Sequence, residues 1–259
     1  MTTLDNTPPP RAFRLDRIII LSSLIVLTAA AWAYLIHDCL SGRNNLPACC
    51  LRPDPRFWGA GDFTALFVMW TVMMIGMMTP TAAPMVLMFA TINRRRRQAD
   101  RPYVPTFLFL LGYLIVWTAF SAIATAAQYG LHRASLISPA MVSTNRWLGG
   151  LVLIGAGIFQ WTPAKNRCLG HCRSPFDFLT TDWREGPGGA IVMGFRHGVS
   201  CTICCWLLMA LLFVVGVMNL IWVAAITAFV VAEKSLPFGH RLARASGVLL
   251  ILWGLIAIV

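Results

Sequence analysis

Blocks of about 20 consecutive apolar residues recur along the chain, the length an α-helix needs to cross a hydrocarbon core of ~30 Å. In hydrocarbon every backbone N–H and C=O must be satisfied within the protein, so only helices and closed barrels span. Barrel strands alternate apolar and polar residues. These blocks are apolar throughout, so the chain is predicted as an all-α, polytopic transmembrane bundle. Seven helices are expected, at about 18–36, 62–91, 105–130, 147–162, 189–217, 220–235 and 240–258. The fifth and sixth lie close enough to form one re-entrant unit, which would leave six. Residues 1–17 read as a disordered tail and 18–259 as a single membrane domain. The first block follows Arg11, Arg14 and Arg17 without a small-residue cleavage site, and is expected to remain as a signal anchor.

Charged residues make up 12% of the chain, where soluble domains run near a quarter. The net charge of +11 invites a nucleic-acid reading, but the arginines stand between apolar blocks, as topogenic loop charges do. With the N-terminus in the cytoplasm, 16 of the 21 Lys and Arg residues fall inside and 5 outside. That asymmetry predicts the N-in orientation of a bacterial inner-membrane protein.

The densest chemistry lies on the block at 189–217: Met193, His197, Cys201, Cys204, Cys205 and Met209. Spacings of three and four place an imidazole and two or three thiols on one helix face. Buried cysteine can be a mere small hydrophobe, but three thiols in five residues below a histidine argue for a site. Sulfur with imidazole suits Cu(I) or Zn(II), and added thioether favours Cu(I). The block at 62–91 carries a thioether stripe, Met69, Met73, Met74, Met77 and Met78, followed by Pro80 and Pro84, which are expected to break the helix. At 1.5 Å per residue both sets lie about 17–24 Å from their helix starts, near the middle of the bilayer.

Cys168, His171 and Cys172 form a further cluster in a polar loop at about 163–187, expected to be cytoplasmic and reduced. They are too few for a closed zinc site and suit an entry or exit station. Cys39, Cys49 and Cys50 fall in the outer loop, where a disulfide from Cys39 to Cys49 or Cys50 is the simplest reading. Glu233 and Lys234 end the sixth block: Lys234 could snorkel to the inner surface, and Glu233 could pair with Arg196 or His197 or carry a proton.

Three stretches resemble the DUF2182 family of predicted metal-binding integral membrane proteins of bacteria. They are Met73-Met74-x-x-Met77-Met78-Thr79-Pro80-x-x-x-Pro84-Met85, Cys168-x-x-x-Cys172-Arg173, and His197-Gly198-x-x-Cys201-x-x-Cys204-Cys205-Trp206. The segments Val217-Met218-Asn219 and Glu233-Lys234 extend the likeness. Where family members carry Gly before the paired cysteines, this chain has Ile203. The resemblance implies membrane location and a metal role, without a reaction.

These features point to a membrane protein that binds and moves or delivers a soft metal, Cu(I) first and Zn(II) second, with a metal chaperone or a membrane complex as partner. His197, Cys201, Cys204 and Cys205 are the expected central ligands. Met73, Met74, Met77 and Met78 form a weak thioether path, and Cys168, His171 and Cys172 the inner station. The sequence has no P-loop, so ATP-driven pumping by this chain is not expected. The alternatives are a membrane thiol oxidoreductase cycling Cys201 with Cys204 or Cys205, and an accessory subunit of a larger complex. Haem is weaker still, for want of two histidines at one depth.

Overall fold

The computed structural model describes residues 11–41, 58–98, 104–136 and 145–259. Among them every regular element is an α-helix: α1 Arg11–Ser41, α2 Ala60–Gln98, α3 Thr106–Arg133, α4 Arg146–Phe159, α5 Pro163–Arg173, α6 Pro175–Thr181, α7 Gly186–Ala210, α8 Leu212–Val215, α9 Leu220–Ser235 and α10 Gly239–Ile258. Among the described residues five helical stretches are long and apolar enough to cross a membrane: α1, α2, α3, α7 with α8, and α10. Counting α4 and α5 as one span, bent by 64°, makes six. The count expected from apolar blocks is seven. The difference lies in α4 and α9, which form where expected but have only 14 and 16 residues. They rise about 21 and 24 Å, short of a ~30 Å core.

Three local expectations are corrected. Helix α1 begins at Arg11, so 11–17 are helical and not tail; 1–10 lie outside the described residues. The 163–187 stretch is largely helical. Thr162 caps α5, its Oγ1 accepting from Lys165 N (3.2 Å), with Pro163 in the first turn; Pro175 opens α6 in the same way. Third, α2 runs unbroken through Pro80 and Pro84. Pro80 cannot donate to the Gly76 carbonyl, and the Trp32 indole of α1 fills that place (3.3 Å). Cys49 and Cys50 lie outside the described residues, and with them the expected disulfide.

The bundle is organised by a close contact of α3 with α7. A Cβ on Gly194 would run into the Phe109 carbonyl oxygen, one on Gly112 into that of Ile191, and Gly198 faces Tyr113 and Val116. Small residues let the two backbones approach, as at many membrane helix interfaces. Residue numbers rise together along the seam, so α3 and α7 are parallel, and α4 to α6 form the return path between them. Helices α4 and α10 pack antiparallel on a second pair of glycine contacts, Gly150 on Gly254 and Gly157 on Gly247. Beyond α8 the chain reverses at Gly216, whose φ of +99° lies in the region that glycine alone enters freely. Asn219 then caps α9, accepting from Trp222 N. Helix α2 lies against α3 through the buried Trp70 Nε1 to Gln128 Oε1 hydrogen bond (2.6 Å) and through Asn93, which donates to Val104 O (2.5 Å).

Candidate metal centre

The i, i+3, i+4 spacing on α7 turns Cys201, Cys204, Cys205, His197, Met193 and Met209 inward, and all six are buried. From α2, Met69, Met73, Met74, Met77 and Met78 are buried in the same core. From α5 comes Cys172. Lys165, Leu169 and Cys172 recur at four and three residues and form the buried face of a helix whose polar composition hid it. The Cys172 thiol is buried and close enough to Cys201 and Cys204 to interact with both electrostatically, and Cys205 Sγ donates to Cys201 O (3.0 Å). Two helices therefore contribute four buried thiols. Cys168, one turn earlier on α5, is half-buried. His171 is exposed, with Nδ1 3.0 Å from Arg167 O, and is not brought to the cluster.

The His197 ring packs against Tyr113, Phe178 and Phe109, with centroids at 5.5, 5.9 and 6.2 Å. Its Nδ1 is buried without a hydrogen-bond partner among the described residues. An orphaned buried imidazole nitrogen is costly unless something binds it.

Polar side chains not assigned to the site from sequence complete it. Tyr113 Oη stands 3.2 Å from Cys201 Sγ and donates to Met78 O (3.1 Å), tying α3 to α2 and α7. Thr81 Oγ1 also donates to Met78 O (2.8 Å). Lys234 Nζ donates to Cys201 Sγ (2.8 Å) and reaches Thr81 Oγ1 at 3.5 Å. Lys234 is thus buried on sulfur and does not snorkel. Glu233 pairs with Lys165 of α5 at 2.9 Å, both side chains wholly buried, and not with Arg196 or His197. Arg196 pairs with Asp182. Lys165 Nζ also donates to Cys204 O (2.8 Å), so one ammonium joins α5, α7 and α9. Arg173 ties α5 to the end of α9 by donating to Leu236 O (2.6 Å) and Pro237 O (2.9 Å).

Among the described residues no three His, Cys, Asp or Glu side chains are arranged to hold a metal ion. Cys201 Sγ lies on the Tyr113 hydroxyl and the Lys234 ammonium, and Cys205 Sγ on a carbonyl. Buried thiol sulfur is a soft ligand of the kind that suits a soft monovalent ion.

A model of the PpoB2 family, described as copper chaperone, matches residues 67–257. That stretch contains the methionine, cysteine and histidine motifs from Met73 to Lys234. No curated protein and no solved structure matches the chain.

Proposed function

The chain belongs to the PpoB2 copper chaperone family, and from that premise we propose that it is a multi-pass protein of the bacterial inner membrane that binds Cu(I) as cargo and hands it to an acceptor. The observation that carries this reading is the burial of four thiols from α5 and α7 in one core with His197, whose Nδ1 has no hydrogen-bond partner among the described residues. The donor set fits the ion: thiolate and thioether sulfur are soft ligands that favour Cu(I) over harder cations. Cys201, Cys204 and Cys172 are the primary sulfurs, with Cys205 and His197 in reserve.

Two approaches lead to this centre. On α5, exposure falls from His171 through Cys168 to Cys172, a graded path from the inner surface. On α2, Met73, Met74, Met77 and Met78 lead toward the opposite end. Thioethers bind weakly, and weak sites in series allow release as well as capture.

Copper content by mass spectrometry, on reduced, detergent-purified protein loaded with Cu(I), tests the assignment. The parent is expected to hold near-stoichiometric copper, and the Cys201/Cys204/Cys205→Ser variant at most about a tenth of it, as loss of the thiolates removes the soft ligands. A parent that stays metal-free and instead forms a reversible disulfide under mild oxidant would overturn the reading in favour of a thiol oxidoreductase. The methionine path has its own test. Met73→Leu/Met77→Leu is close to volume-conserving and should leave bound copper unchanged. Transfer of Cu(I) to an external chelator, followed by stopped flow, should slow about tenfold as two weak soft sites are lost. Unchanged transfer would remove these methionines from the route.

A further inference from the structure

The buried charges around the thiols do not cancel. Lys165 and Glu233 neutralise each other at 2.9 Å. Outside the cluster Arg196 pairs with Asp182, and the half-buried Arg173 is spent on the carbonyls of Leu236 and Pro237. Lys234 remains. Its ammonium is buried, 2.8 Å from Cys201 Sγ and 3.5 Å from Thr81 Oγ1, and Cys172, Cys204 and Cys205 also lie in its field. Among the described residues no carboxylate stands within salt-bridge distance of it. A lone buried cation is expensive unless an anion accompanies it.

Taking the metal reading above as its basis, we propose that Lys234 is the fixed counter-cation of the centre, so that at equal thiolate count the site favours a monovalent over a divalent soft metal. A monovalent ion held by two thiolates is a unit of charge −1, which the single positive charge of Lys234 balances. A divalent ion held by the same two thiolates is neutral, and Lys234 then stays buried and uncompensated. No ligand need differ between the two cases; the discrimination comes from a residue that does not touch the metal.

Ag(I) and Hg(II) are suitable probes, because both are soft and both accept two thiolates in a line while differing by one charge. Each would be titrated into the full-length, reduced, detergent-purified protein in competition with a small thiol chelator. The parent is compared with Lys234→Gln, which removes the charge, and Lys234→Arg, which keeps it. Removing one charge a few ångströms from the ion should lower the ratio of Ag(I) to Hg(II) affinity by about a hundredfold in Lys234→Gln. Lys234→Arg should hold that ratio within about threefold, since its charge is retained. A packing defect would weaken both metals together, and an unmoved ratio in Lys234→Gln overturns the counter-cation role while leaving the metal centre intact. If neither metal binds the parent in a manner that requires Cys201, Cys204 and Cys205, the metal reading and this inference both fall.

Discussion

Glu233→Gln is expected to destabilise the protein by about 3–5 kcal/mol, the usual effect of leaving one member of a buried ion pair alone. Lys165 Nζ lies 2.9 Å from Glu233 Oε2 with both side chains at 0% exposure, so no water replaces the lost carboxylate. The loss should also reach the sulfur cluster, because the same ammonium anchors the Cys204 carbonyl at 2.8 Å. Lys165→Met alone should cost a similar amount. Combining it with Glu233→Gln should restore most of the stability, because the paired charges are exchanged for groups that tolerate burial. Denaturant unfolding in detergent reads all three. Costs below about 1 kcal/mol for the single variants, adding simply in the double, would show a pair with no coupling.

Gly194→Leu is expected to yield no monodisperse protein on size-exclusion chromatography. A side chain at this position has nowhere to go: its Cβ already meets the Phe109 carbonyl, which is backbone and cannot turn aside. Helices α3 and α7 would have to separate, carrying Tyr113 away from Cys201 and opening the aromatic wall on His197. Gly188→Ala is the control on the same helix. Nothing stands within 4 Å of the Cβ it would add, so its effect should stay within about 1 kcal/mol of the parent, the range of the glycine-to-alanine helix difference. A well-folded Gly194→Leu protein would mean that the helix contact is not close.

The parts of this architecture legible in the sequence are those with a local period. Apolar block length marked every long helix, and spacings of three and four placed His197, Cys201, Cys204 and Cys205 on one inward face. Helix α5 was legible too, through Thr162-Pro163 and the recurrence of Lys165, Leu169 and Cys172, but mean polarity outweighed that signal. Reading Pro80 as a break failed because a partner for the freed Gly76 carbonyl comes from Trp32, 44 residues earlier, and no pattern within α2 announces it. The electrostatics were out of reach for the same reason. Glu233 and Lys165 are 68 residues apart and Lys234 and Cys201 are 33 apart, so the sequence offered Glu233 the wrong partners, Arg196 or His197, and Lys234 the inner surface.

The parallel seating of α3 and α7 also bears on biosynthesis. A helical hairpin can close as soon as its second arm leaves the ribosome, but parallel neighbours must wait for a return segment and then for the later partner. The groove on α3 that receives Gly194 therefore stays unfilled while α4 to α6 are being made. The ion pair that locks α5 in place waits longer still, for Glu233 near the end of α9. A nascent chain shorter than this carries the cysteines but not the enclosure, its thiols unshielded and its lysine without a mate. The enclosure around the cysteines is thus completed only in a nearly finished polypeptide, once Glu233 and Lys234 of α9 have been made.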